Sequence, residues 1–173
     1  NNVNTAETFE RLEEKINLQT NLTVRCIGGS DLLNKTSKNA LYNELPFICG
    51  AWIFDENALH RMWIIFSTFE TLVTDTIGSH IPYALACGTK VEIIDLGTRM
   101  DVGDKLKNEP FFKNNPDLFE PISMGQSIYG IKQNFPEIFT ASTKQERIDT
   151  GYKLLGHENM KEIEEITSLF GWN

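Results

Sequence analysis

The stretch that decides the fold is TLVTDTIGSHIPYALACGTKVEII, residues 71–94. Its first part favours a β-strand over Leu72 to Thr74, and Val91 to Ile94 form an apolar run typical of a second, buried strand. Between them, Gly78 breaks the first strand and Gly88 ends a short helix. The sequence therefore predicts a compact strand, loop, helix, strand unit.

The start of the short helix has two local signals. Ser79 is a favourable N-cap residue, and Pro82 is tolerated in a first turn because the amides there have no partner within the helix. A loop that enters a helix in this way presents free backbone N–H groups and the positive end of the helix dipole. The loop is thus predicted to bind an anion, most naturally the phosphate of a nucleotide.

Five residues of this loop are the candidate site. Gly78 allows a ligand to approach the backbone, and Ser79 with its neighbouring amides can bind phosphate oxygens. His80 can donate to a phosphate or assist a leaving group, while Asp75 can hold a ribose or acceptor hydroxyl and Thr76 lines the site. A structural alternative stays open: Ser79 only caps the helix, His80 lies on a solvated first turn, and Asp75 is a turn residue.

The rest of the first half alternates between helix and strand. Helical spacing of apolar residues predicts a surface helix over Thr5 to Gln19 and a largely buried helix over Glu56 to Glu70, with a strand over Leu22 to Ile27 between them. This alternation predicts an α/β fold with a mostly parallel sheet, as a single domain over residues 1–173.

The second half has a different character. Residues 101–139 are rich in Asn, Asp, Pro and Phe and predict loops and short helices. Two helices are then expected over Thr143 to Leu155 and Asn159 to Phe170, separated at Gly156. Their predicted buried face consists of Leu154, Leu155, Ile163, Ile166, Leu169, Phe170 and Trp172.

Composition excludes several classes of function. The chain has 173 residues and a formal net charge of −8, which disfavours a general surface for nucleic acid or anionic membranes. We find no apolar run of transmembrane length and no signal peptide, and we expect a cytoplasmic protein. Three cysteines at wide spacings, Cys26, Cys49 and Cys87, lie in apolar or small-residue contexts and are expected to be buried free thiols. No CxxC or Cys/His cluster is present, so a metal site is not expected.

Familiar catalytic motifs are absent from the chain. It contains no P-loop, GxGxxG, GxSxG or HExxH, and no DxD pair that would hold a metal-bound sugar nucleotide. A transferase built on this chain is therefore expected to stabilise a leaving diphosphate with side chains and a helix dipole, without a metal or other cofactor.

The segment VTDTIGSHIPYALACGTKV, residues 73–91, resembles the C-terminal, donor-binding half of GT-B-fold glycosyltransferase-like proteins of bacterial surface-polysaccharide and lipopolysaccharide biosynthesis. The closing stretch from Leu154 to Trp172 is also similar to the ends of such proteins. The resemblance implies a Rossmann-like three-layer domain that binds the diphosphate of a nucleotide sugar through Gly78, Ser79 and His80. It also implies an N-terminal domain elsewhere that binds the acceptor glycan.

Two features limit what the resemblance implies. The Glu-x7-Glu pattern of many retaining members is missing, and the acceptor-side half does not lie in this chain. We accordingly expect a domain excised from a larger two-domain protein, inactive in isolation. Two alternatives remain: a non-catalytic Rossmann-like interaction module, and an enzyme similar to UDP-sugar 2-epimerases, which share the fold and place a Thr-Asp-Ser-Gly-Gly loop near this position.

Overall fold

The structure is a computed structural model that describes residues 23–28, 46–52, 54–75, 77–94, 107–119 and 128–171. The helix predicted over Thr5 to Gln19 lies outside these residues. The described residues form a mixed α/β fold in which short parallel strands occupy the first half and helices the second.

Four strands pair in parallel. β1 (Arg25–Ile27) pairs with β2 (Phe47–Cys49), and β3 (Thr71–Thr74) pairs with β4 (Lys90–Ile93), with Leu72 opposite Val91. Within the described residues these are two separate two-stranded sheets. The parallel pairing confirms the predicted α/β class.

Two helices position the candidate site. α1 (Ala58–Thr68) leads into β3, and α2 (His80–Ala86) connects β3 to β4. A crossover is required because parallel neighbours cannot be joined by a tight turn. Gly88 ends this crossover with a left-handed φ of 81°, and its amide donates to the Leu85 carbonyl at 2.7 Å. The predicted strand, loop, helix, strand unit and its glycine stop are confirmed.

The second half consists of short helices, as predicted. In chain order they are α3 (Pro110–Asn114), a 3₁₀ turn (Pro116–Leu118), α4 (Ile128–Asn134), α5 (Glu137–Thr140), α6 (Lys144–Leu154), a second 3₁₀ turn (His157–Asn159) and α7 (Ile163–Phe170). The last helix begins four residues later than Asn159, because the 3₁₀ turn and an extended segment come first.

The buried core lies on the inner face of α2. Ile81 and Leu85 are almost fully buried, and they pack against Ile131 of α4 and Ile138 of α5. Val91, Ile93, Ile77 and Leu154 border this cluster. Burying one such aliphatic side chain contributes about 1.5–3 kcal/mol. This cluster therefore packs one face of α2 against β4, α4 and α5.

The helix α6 crosses α2 at very short range. A Cβ on Gly151 would lie 2.1 Å from the backbone nitrogen of Ala86 and 2.7 Å from the carbonyl carbon of Leu85. Only glycine fits there, because backbone atoms cannot give way as a flexible side chain can. Arg147 adds a polar link, since its Nε donates to the Gly88 carbonyl at 2.8 Å.

The start of α6 carries a complete capping box. The Thr143 hydroxyl accepts from the Glu146 amide at 3.2 Å, and the Glu146 carboxylate accepts from the Thr143 amide at 2.9 Å. The Ser142 amide and hydroxyl also donate to that carboxylate, both at 2.8 Å. These hydrogen bonds stabilise the charged carboxylate and lower the pKa of Glu146 to about 2. The bond from the Thr143 amide has the largest effect.

Three predictions of burial are wrong. The outer face of α1 is exposed, including Trp63 at 57%, because the helix packs against α2 and buries only Phe66. The predicted buried face of α7 is also exposed, with Leu169 at 68%, because no described element covers that side; Trp172 lies outside the described residues. Cys26 and Cys49 are exposed and Cys87 is half-buried, although all three are free thiols as predicted.

Candidate functional site

The predicted loop lies at the carboxyl end of β3, where it turns the chain into α2. Gly78 and Ser79 are exposed at the turn, whereas Ile77 before them borders the core. The Gly78 carbonyl accepts from the Ile81 amide at 3.1 Å, and the Ser79 carbonyl accepts from the Tyr83 amide at 3.3 Å. The helix thus takes its first hydrogen bonds from the loop itself, which fixes the angle at which the chain enters α2.

The imidazole of His80 folds back toward the strand. Its Nε2 lies 3.2 Å from the Thr74 hydroxyl, and Thr74 is the buried last residue of β3. A Cβ on Gly78 would lie 3.1 Å from His80 Nδ1, so the glycine leaves room for the ring. The half-buried imidazole therefore packs on the strand end and not on a solvated first turn.

Ser79 does not cap the helix, which corrects the sequence prediction. Its φ of −60° and ψ of −21° are already helical, and its hydroxyl makes no capping bond. A capping side chain reaches the N2 or N3 amide from an extended backbone, a geometry that Ser79 does not have. Among the described residues, the amides of Gly78 and Ser79 donate to no acceptor. Both amides and the exposed hydroxyl are thus accessible to a ligand.

Of the two remaining predicted site residues, the structure describes one. Asp75 is half-buried and directly follows β3, and Thr76 lies outside the described residues. Thr74 was missed, although its hydroxyl lies within hydrogen-bond distance of His80. Its position in the sequence could have indicated this contact, because Thr74 is the last residue of the predicted strand and directly precedes the loop.

A second concave surface lies away from the loop. A shallow groove of about 460 Å³ runs between β2 and α1, lined by Ile48, Cys49, Arg61, Ile64, Ile65, Thr68 and Phe69. The Arg61 guanidinium at its edge donates to Asp55 at 2.9 Å and lowers the pKa of that carboxyl. None of the described residues of the 75–80 loop lines this groove.

Metal ligands do not cluster in the part of the chain that the structure describes. No group of three or more His, Cys, Asp or Glu side chains there is arranged to hold a metal ion. None of the described helices has the length and apolar character needed to cross a bilayer.

Comparison of the chain with known protein families, with curated proteins and with solved structures finds no match.

Proposed function

We propose that this chain is the nucleotide-sugar-binding domain of a GT-B-like glycosyltransferase, and that the 75–80 loop holds the diphosphate of the donor. The observation that carries the proposal is the pair of amides of the exposed residues Gly78 and Ser79, which donate to no acceptor among the described residues and lie at the carboxyl end of a parallel strand. Ligands of α/β proteins bind at that edge, where loops enter helices.

Each loop residue has a role in this proposal. The two amides and the Ser79 hydroxyl bind phosphate oxygens, which are strong acceptors. His80, held against Thr74, is the catalytic residue: an N–H of its ring donates to the leaving diphosphate and offsets the charge that develops there. Asp75 and Thr76 line the sugar or ribose side. The donor is a substrate, and the proposed chemistry uses no cofactor or metal.

The proposal extends to a larger assembly. It places the described strands in a Rossmann-like three-layer domain whose partner is an N-terminal domain of the same protein. That domain would bind the acceptor, a polysaccharide or lipopolysaccharide glycan, on the cytoplasmic side of the membrane. Acidic composition, with a net charge of −8, supports a small-molecule donor over a nucleic acid partner.

Amide chemical shifts test the diphosphate site directly. In ¹⁵N-labelled protein titrated with millimolar UDP, GDP or CMP, we expect at least one of them to shift the amides from Gly78 to Ala84. Ser79→Ala with His80→Ala should weaken the response, while Ser168→Ala, an exposed serine on α7, should not. Unmoved amides in this segment with all three nucleotides would contradict the proposal.

The exposed apolar face of α1 favours a second candidate, a non-catalytic interaction module. Leu59, Trp63 and Ile64 are solvent-exposed on this face, and large aromatic residues dominate protein interfaces. Under this alternative the loop is structural, and Ser79→Ala with His80→Ala leaves the activity of the full-length protein unchanged. A loss of transferase activity in the same double variant with normal folding would exclude it.

A further inference from the structure

The two ring nitrogens of His80 lie in different surroundings. Nε2 lies 3.2 Å from the hydroxyl oxygen of Thr74, which is only 8% exposed at the end of β3. A Cβ on Gly78 would lie 3.1 Å from Nδ1 and 3.3 Å from Cε1, so this part of the ring lies beside Gly78, an exposed residue. Nε2 therefore faces the buried strand end, and Nδ1 faces the turn of the loop.

The contact with Thr74 determines which nitrogen carries the proton of the neutral ring. A neutral imidazole has one N–H donor and one acceptor nitrogen, and the hydrogen bond made by one nitrogen sets the role of the other. A threonine hydroxyl can donate or accept. If it donates to Nε2, the ring proton is on Nδ1; if it accepts from Nε2, Nδ1 is left as an acceptor.

We infer that Thr74 is a positioning residue for His80: its hydroxyl donates to Nε2 and keeps the ring proton on Nδ1, beside Gly78. In the proposed function, on which this inference rests, an N–H of this ring donates to the leaving diphosphate. Phosphate oxygens are acceptors, so the nitrogen that faces the loop must be a donor. The hydroxyl of Thr74 thus lets Nδ1 donate without requiring a charged ring.

The fold holds both partners of this hydrogen bond. Thr74 pairs with Ile93 of β4, and its carbonyl accepts from the Ile94 amide at 2.8 Å. His80 is the first residue of α2, and Ile81 directly after it is 2% exposed in the core. A paired strand end and an anchored helix start hold the hydroxyl and the ring, as the selection of one tautomer requires.

Nitrogen-15 NMR of the histidine rings tests the inference without a ligand. At about pH 9, histidine rings with the ordinary pKa of about 6.5 are neutral. Couplings of the ring C–H protons to the two nitrogens then show which nitrogen is protonated. We expect the proton of His80 on Nδ1. His60, exposed on α1 and assigned with His60→Gln, serves as the internal control and should show the Nε2–H form that predominates in water.

Two variants of Thr74 separate the hydroxyl from the shape of the side chain. Thr74→Val removes the donor, and we expect the ratio of Nδ1–H to Nε2–H forms to fall about fivefold, as the loss of one ordinary hydrogen bond predicts. Thr74→Ser keeps the hydroxyl and should retain the parent's ratio. Amide spectra that match the parent's away from the loop show that the variants fold.

Two results would overturn the inference. One is a parent ring that carries its proton on Nε2, which needs no variant to detect. The other is a folded Thr74→Val chain in which the ratio of the two forms is unchanged.

A nucleotide titration distinguishes this inference from the diphosphate proposal. With whichever of UDP, GDP or CMP shifts the loop amides, Thr74→Val should raise the half-saturating concentration about fivefold, and Thr74→Ser should match the parent. Equal affinity in Thr74→Val and the parent would contradict the role of Thr74 alone. Amides that no nucleotide moves, in a chain whose His80 has its proton on Nδ1, would contradict the diphosphate proposal and support the assigned tautomer.

Discussion

The two C-terminal helices contrast sharply in sequence and in packing. α6, KQERIDTGYKL, is rich in charged and polar residues, yet it packs closely across α2. α7, IEEITSLF, has the clearer apolar face, yet that face is exposed. The difference shows that backbone fit can bring a polar helix against the core, while an apolar stripe alone does not choose its partner.

Gly151 explains the position of α6. Without a side chain at this point, the helix approaches the backbone of Leu85 and Ala86 and gains dispersion contacts along the crossing. Arg147 and the capping box then hold its first turns. α7 has neither a close backbone contact nor a described element packed over it, so its apolar side stays exposed among the described residues.

The largest expected effect comes from filling the gap at Gly151. Gly151→Ala places a Cβ 2.1 Å from a backbone nitrogen and must push the two helices apart. We expect a loss of about 3 kcal/mol in the free energy of unfolding. Alanine has a higher helix propensity than glycine by about 1 kcal/mol, but the cost of overpacking is larger than this gain. Urea denaturation measures it. Asp149→Ala, exposed on the same helix, should change stability by less than about 0.5 kcal/mol.

The next effect concerns the contact between α6 and the end of α2. Gly88→Ala forces a left-handed φ of 81° on a residue with a side chain, at a cost of about 1–2 kcal/mol. The new Cβ would also displace the Lys144 side chain, which is flexible. Gly88→Asn should cost less, because asparagine tolerates this conformation. Equal losses for the two variants in thermal unfolding would show that crowding, not φ, controls this position.

A smaller effect should appear in acid. The folded-state pKa of Glu146, about 2, lies below the ordinary value of 4.5, so its contribution to stability is complete above about pH 4.5 and is lost as the pH falls toward 2. Glu146→Gln should flatten the dependence of unfolding free energy on pH in this window. Ser142→Ala removes the hydroxyl donor and so raises the folded-state pKa of Glu146, which should make the loss of stability in acid smaller and complete at a higher pH. An unchanged profile would contradict this account.

The smallest effect is expected on α7. Ile163→Ala and Leu169→Ala should each change the free energy of unfolding by less than about 0.5 kcal/mol, because both side chains are exposed. Leu85→Ala, at a site with 1% exposure, should cost about 2–5 kcal/mol by the same measurement. A cost above 1.5 kcal/mol at Leu169 would mean that α7 packs within its own chain.

The sequence predicted the local course of the chain well and its packing less well. Gly88 and Gly156 marked helix ends because glycine adopts positive φ at little cost, and both do so in the structure. Apolar spacing located α1, α6 and α7, but it assigned buried faces to α1 and α7 that the structure leaves exposed. Periodicity identifies a face that can be buried; burial also requires a second surface of matching shape.

The candidate site divides in the same way. Residue type and position between a strand and a helix identified the loop residues Gly78, Ser79 and His80. In the structure they lie between the carboxyl end of β3 and the start of α2. The link from His80 to Thr74 and the non-capping geometry of Ser79 were not visible in the sequence. Both depend on the angle between β3 and α2, which the loop hydrogen bonds and the packing of Ile81 and Leu85 set together.

The sequence by itself determined the parallel β3-α2-β4 unit, its loop and the glycines that end its helices, because these follow from local backbone preferences and apolar spacing. The tertiary structure alone decided that α6 lies against α2, that His80 packs on the strand end and that α7 remains exposed. Such contacts join residues far apart in the chain, and whether they form depends on shape and distance in three dimensions.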